Sequence, residues 1–275
     1  MGLFTFNWKK GDFTCMKSFL LTLLAMGCAA VLIAGNLHWQ EKTTVSAEKL
    51  KVKQVVFNTV AQNELDTDKT IQLTQHWPAE AQASYQQALA DERPFTILLA
   101  GSLTVGSDEE SWSSLVKHEL EQAYGETLNI VVKSYDLTSA QFTKEKLPEL
   151  LAEQPDLTLF EPFTLNDNDK VRIEDSHQHI AEIASSLLEV NPQHVLLLQP
   201  PYPLYQANYY PVQVTALKRF AKKNSIPYLD HWTAWPDPDS KDIKQYLDEV
   251  NGSQIPNESG HQLWASYLAE YFISK

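Results

Sequence analysis

Three short blocks carry residue types that could do nucleophilic chemistry. The first is Gly101-Ser102-Leu103-Thr104-Val105-Gly106, directly after the apolar run Phe95–Ala100. A serine between a strand and a helix exposes its hydroxyl at a positive helix end, where it would act as a nucleophile beside an oxyanion site. A glycine-rich turn with a helix-capping serine is the alternative. A phosphate-cradling loop does not fit, because neither the Walker pattern nor the dinucleotide spacing is present.

The second block is Glu161-Pro162-Phe163-Thr164-Leu165-Asn166-Asp167-Asn168-Asp169, again after an apolar run. The Asn166 amide could donate to a developing oxyanion, or the segment is a polar Asx-type turn. Its crowd of Asp and Asn lacks the Gly and distal Glu of a calcium-binding EF-hand. The third block, Ile255-Pro256-Asn257-Glu258-Ser259-Gly260-His261, opens an amphipathic run. His261 falls near the first turn of that helix, where the dipole disfavours imidazolium and keeps the ring neutral as a base. A capping or packing histidine is the alternative. His177 and His179 are two apart on an expected helix and face different ways, which argues against a metal pair. Both cysteines, Cys15 and Cys28, precede the body, so the body holds no disulfide, thiolate zinc site or cysteine nucleophile. No organic cofactor and no metal is expected.

These blocks need elements to position them. Phe95–Ala100, Leu128–Val132, Leu157–Phe160, Val195–Leu198 and Ile226–Leu229 are short β-type runs. Helical stretches near 109–124, 139–153, 174–190 and 209–223 lie between them. Another helix closes the chain at 258–273, and Pro78 opens one over Ala79–Ala90. Apolar strands alternating with helices predict a five-stranded parallel sheet covered on both faces, a three-layer α/β/α domain. In such sheets sites form beyond the carboxyl ends of the strands, where all three blocks fall.

Phe19–Leu37 is nineteen residues without a charge, enough to span a hydrocarbon core of roughly 30 Å. Lys9, Lys10 and Lys17 precede it and Trp39 follows at the far interface, where His38 also belongs. The run is long for a cleaved signal peptide, and apolar residues continue past Cys28, where a lipoprotein would turn polar. The expected organisation is a basic tail at 1–18, a transmembrane anchor at 19–39, a polar stalk at 40–77 and the α/β domain at 78–275. The positive-inside count is balanced across the span. A short tail is normally kept inside, which places the domain outside the cell.

The formal net charge of -13 is uneven: residues 1–53 carry +4 and residues 54–275 carry -17. An acidic body repels phosphate backbones, so nucleic acid is not an expected partner. Tyr202, Tyr205, Tyr209, Tyr210, Trp232 and Trp235 gather in the loops after the fourth and fifth runs. Such rings stack on sugar faces, or simply pack the loops.

Taken together, the blocks resemble the SGNH (GDSL-type) hydrolase family, in order and over roughly residues 94–275. Gly101–Gly106 is similar to the family's first block, with Gly101 where the family has Asp. Leu165-Asn166-Asp167 resembles the block carrying an oxyanion Asn, and Pro256–His261 resembles the last block. The chain looks especially like membrane-anchored SGNH hydrolase-like proteins of Gram-positive bacteria, which carry similar FEPFTLNDN, LQPP and DHW-x-AWPD segments.

The resemblance implies a flavodoxin-like fold and acyl transfer to water. Ser102 would attack an ester carbonyl, with the oxyanion held by Asn166 and backbone N–H groups. The family's second block supplies a Gly. Here the stretch is Val132-Lys133-Ser134-Tyr135-Asp136, which makes Tyr135 and Asp136 the backbone donors. The last block departs further, with Gly252-Ser253-Gln254-Ile255 where the family usually has Asp-x-x-His. Isoleucine accepts no proton, so the base would be His261 or, second, His231, oriented by Asp230 or Glu258. The implied activity is removal of O-acyl groups, acetyl among them, from an envelope carbohydrate or a lipid ester. An SGNH-fold binding or assembly protein that lost its base is the alternative.

Overall fold

The computed structural model describes residues 67–106 and 108–275. Among them, four parallel strands form one sheet in the order β2-β1-β3-β4: β1 Phe95–Ser102, β2 Leu128–Tyr135, β3 Leu157–Glu161 and β4 Val195–Leu198. The register runs from Phe95↔Leu128 to Ser102↔Tyr135 on one side of β1, and from Ile97↔Leu157 to Gly101↔Glu161 on the other. Chain order reverses between β1 and β3, the switch point at which doubly wound sheets place their ligands.

Because side chains alternate across a strand, each strand feeds two cores. Ile97, Leu99, Leu159 and Leu197 pack with the helices Ala79–Ala90, Trp112–Tyr124 and Glu258–Phe272. Leu98, Ala100, Phe160 and Leu198 pack against Ser139–Glu145, Leu147–Leu151, Ile173–Val190 and Tyr210–Lys223. This is the expected three-layer α/β/α arrangement.

The sheet has four strands rather than five. Ile226–Leu229 makes one isolated bridge, Leu198↔Tyr228, at the place a fifth strand would take. Pro227 has no N–H to give a ladder, and the Ile226 N–H is spent on the Ala221 carbonyl at the end of the preceding helix. The expected helix 139–153 is broken in two around Lys146, two residues before Pro148. A two-stranded antiparallel sheet, β5 Leu247–Val250 and β6 Ser253–Pro256, turns through Asn251 and Gly252 at φ 52° and 78°. These are the left-handed dihedrals that an Asn-Gly hairpin turn requires.

The expected anchor at 19–39 and the tail at 1–18 lie outside the described residues. Among the described residues no helix is long and apolar enough to cross a membrane. The end of the expected stalk belongs to the fold: Trp77 is buried and donates to the Phe272 carbonyl (3.0 Å), and Ser274 N–H bonds the Leu73 carbonyl (2.8 Å).

At the amino edge of the sheet, buried Asp156 accepts two hydrogen bonds from Arg93 (2.8 and 3.0 Å) and one from Thr96 N–H (2.8 Å). It therefore ties the start of β1 to the turn before β3. Asp156→Ala orphans the Thr96 N–H and should cost about 2 kcal/mol, read as a lower urea midpoint with unchanged slope.

Candidate active site

Ser102 ends β1 and caps a three-residue 3₁₀ turn, Leu103–Val105, with Thr104 N–H reaching its oxygen at 3.3 Å. The expected helix start is thus only a short turn, and the full helix begins at Trp112. The serine is 2 % exposed. Its hydroxyl donates to Glu161 Oε1 at 2.5 Å, and Thr104 Oγ1 lies 2.8 Å from the Ser102 oxygen.

Glu161 is the residue that sequence reasoning missed. It ends β3, one register position from Ser102, and is fully buried. Among the described residues its Oε2 has no hydrogen-bond partner. Burial pushes its carboxyl up to about 8, with hydrogen bonds from Ser102 and Thr104 drawing it partly back. An acid directly after a wholly apolar strand was the available signal. Its approach depends on Gly101, where an added Cβ would meet the Glu161 carbonyl oxygen at 2.2 Å and its Cβ at 2.7 Å. The Asp that the family carries at this position has no room beside β3.

The oxyanion candidates gather at the same sheet edge. Tyr135 is the register partner of Ser102, and Asp136 follows it. Asn166, in the short helix Thr164–Asp167, donates one amide hydrogen to Asp136 Oδ1 at 3.2 Å. That bond orients the amide and leaves its second hydrogen free for a ligand. Among the described residues no hydrogen bond joins Asn166 to Ser102. The neighbouring Asp167 is structural: its Oδ1 accepts the Ser139 N–H at 2.7 Å and holds the start of the next helix.

The histidines lie elsewhere in the hydrogen-bond network. Among the described residues no imidazole bonds the Ser102 oxygen. His231 is buried and uses both nitrogens: Nε2 meets the Pro200 carbonyl at 2.8 Å, and Nδ1 accepts from Trp235 Nε1 at 3.1 Å. Its ring stacks on Trp264 (4.2 Å, 12°), which stacks on Trp112 (4.8 Å, 20°). Burial holds its pKa down at about 3, with the Pro200 bond opposing. His231 is therefore a structural residue with no nitrogen left for a serine proton. Asp230, its expected orienting group, instead pairs with Lys218 at 2.5 Å.

His261 lies in the helix Glu258–Phe272, and its Nδ1 accepts the Trp112 N–H at 3.2 Å. It thus caps an otherwise unpaired first-turn donor of the facing helix. A neutral ring bonded this way carries its proton on Nε2, the tautomer least able to accept another there. Burial lowers its pKa, with Asp108 opposing. Glu258, the other orienting candidate, accepts from Gln262 at 3.0 Å. Ile255 sits in β6, 39 % exposed, opposite Asp248.

Most of the expected aromatic platform packs the loops. Tyr202, Tyr210 and Trp235 are buried, Tyr205 lies under Lys244 (4.2 Å), and Trp232 donates to the Pro201 carbonyl (2.7 Å). Tyr209 alone of the six is largely exposed, at 80 %. Among the described residues no three His, Cys, Asp or Glu side chains cluster as a metal would require.

Glu161 couples folding to pH. It keeps its proton to about pH 8 in the folded protein, but only to about 4.5 in an unfolded chain. Its contribution to stability is full below the lower value and lost as pH rises through the upper one. The stability of the wild type relative to Glu161→Gln should therefore fall steadily between pH 4.5 and 8, checked by urea midpoints across that range. Contributions from the histidines cancel in the difference.

No protein-family model matches the chain, and no curated protein matches it in sequence. Solved structures do match in fold. A candidate lipolytic protein of the G-D-S-L family from Desulfitobacterium hafniense DCB-2 is 20% identical, with a TM-score of 0.52 over 64% of this chain and 98% of that one. A candidate GDSL-like lipase from Parabacteroides merdae is 14% identical, with a TM-score of 0.54 over 65% and 95%. An alpha/beta hydrolase from the metagenome of Lake Arreo, Spain, is 14% identical, with a TM-score of 0.53 over 65% and 94%. These likenesses show the fold: the chain shares the α/β architecture of these GDSL-type structures.

Proposed function

We propose that the chain is a serine ester hydrolase of the SGNH type that removes small O-acyl groups, acetyl first among them, from a cell-envelope carbohydrate. The observation that carries the reading is the placement of Ser102. One hydroxyl stands at the sheet's switch point with its proton directed at a buried carboxyl oxygen 2.5 Å away. A neutral serine is a weak nucleophile until such a neighbour takes that proton. Asn166 and the backbone after β2 lie at the same edge, where a tetrahedral oxyanion would form.

The narrow exposure of Ser102 favours a short acyl group over a long chain, and exposed Tyr209 offers one face to a sugar ring. A lipid ester would differ only in substrate. The span at 19–39 would hold the domain at the membrane, outside the cell and near an envelope substrate.

A second reading, an SGNH-fold binding or assembly protein without catalysis, is favoured by one observation. An exposed isoleucine stands at the family's usual histidine position, and both substitute histidines are committed elsewhere. Turnover of p-nitrophenyl acetate by the full chain separates the two. The hydrolase reading expects Ser102→Ala to lower kcat/KM by roughly a thousandfold or more. It expects Asn166→Ala to lower kcat by roughly 10²–10³. Wild-type and Ser102→Ala rates that both match buffer would favour the binding protein.

A further inference from the structure

We infer that Glu161 is the general base of this site, taking the Ser102 proton directly in place of an imidazole. The inference rests on Ser102 being the nucleophile and adds where its proton goes. Three observations carry it. Glu161 Oε1 is an acceptor for the Ser102 hydroxyl at 2.5 Å, within the reach a general base needs. Among the described residues Glu161 Oε2 is buried without a partner and the carboxyl joins no ion pair. Neither candidate histidine bonds the serine, and each has another partner.

The surroundings of Glu161 fit the task. Other than Ser102 and Thr104, the titratable groups that interact with it are the phenols of Tyr202, in the loop after β4, and Tyr210, at the start of the next helix. Burial first, and the Glu161 charge second, keeps both phenols neutral. No cation among the described residues pairs with the carboxylate. An ionised Glu161 is therefore an unusually strong carboxylate base, and Ser102 is the stronger of its two hydroxyl donors, Thr104 being the other.

The step balances without a co-reactant. Ser102 Oγ forms a bond to the acyl carbon while its proton passes to Glu161 Oε1, and the carbonyl electron pair moves onto oxygen. Collapse of that intermediate breaks the bond to the leaving alcohol, which receives the proton from Glu161. Water then attacks the acyl-serine, giving its proton to Glu161. Release of the acid returns a proton to Ser102 Oγ and leaves Glu161 ionised.

A fluorophosphonate probe tests the assignment on the full chain. Its phosphorus forms a bond to an activated serine and expels fluoride, and intact mass reports the adduct. The wild type should label at Ser102 with a rate that climbs as pH passes about 8. Glu161→Gln, a substitution that matches the neutral acid in shape, should label roughly 10²–10⁴-fold more slowly above about pH 8, with the gap closing as pH falls and its thermal melt confirming that it is folded. The wild-type pH profile stands independently of any variant. A rate that survives Glu161→Gln, or a midpoint near pH 6.5 that disappears in His261→Ala, would overturn the role of Glu161 while leaving Ser102 as nucleophile. Labelling of Ser102→Ala as fast as the wild type, or none of the wild type up to pH 10, would overturn both.

Discussion

A carboxylic acid at the end of a strand that is buried on both faces has no water to hold its charge. Glu161 occupies that place, and most of what is particular to this site follows from it. Full desolvation of a carboxylate costs several kcal/mol even after the protein relaxes, so the proton stays on until pH is well above the ordinary carboxylate range. A serine hydroxyl is one of the few neighbours that suits both states, because it donates to an acid's carbonyl oxygen and to a carboxylate alike. The same burial makes Glu161 a stronger base and also empties the base form at neutral pH. Chemistry and stability thus draw on one desolvation term with opposite demands.

Gly101 and Glu161 are best understood as one unit. They face each other across the β1–β3 register, and the room that a side chain would need at 101 is filled by the Glu161 backbone and Cβ. A family member with Asp before the serine puts its acid on β1. This chain instead brings an acid to the serine from β3, and either arrangement excludes the other sterically. The departure at Gly101 therefore does not show decay of the block, since the neighbouring strand provides a carboxyl that contacts the serine hydroxyl.

The layered fold was legible because its strands are mostly apolar runs, a pattern that parallel sheets covered on both faces impose. Four runs became strands near their expected bounds. The fifth, Ile226–Leu229, was misjudged on apolarity alone, although Pro227 already denied it a ladder donor. The Asn251-Gly252 pair carries a hairpin signal of its own, independent of the resemblance of the last block. Ser102 and its sheet edge were legible from the glycine-flanked turn after the first run. The contact between Glu161 and Ser102 was not, because the two lie 59 residues apart and only the β1–β3 pairing brings them together. His261 and His231 are chemically apt, and only tertiary packing shows that their nitrogens cap a helix and brace an indole.

The last block has a packing role of its own. Gln254 accepts the Tyr205 N–H at 2.7 Å, returns its amide to the Tyr205 carbonyl at 3.3 Å, and offers its own carbonyl to Tyr202 at 2.8 Å. The β5–β6 hairpin is thereby fastened to the loop after β4, and Tyr210 bonds the Tyr202 carbonyl from the next helix (2.9 Å). These two tyrosines are the ones whose titration senses Glu161. Through Gln254 the last block thus braces Tyr202, and through it Tyr210, whose phenols feel the Glu161 charge, while Ile255 is exposed on the hairpin. A segment with no imidazole beside the serine is in this way still tied, through Tyr202 and Tyr210, to the surroundings of the buried carboxyl.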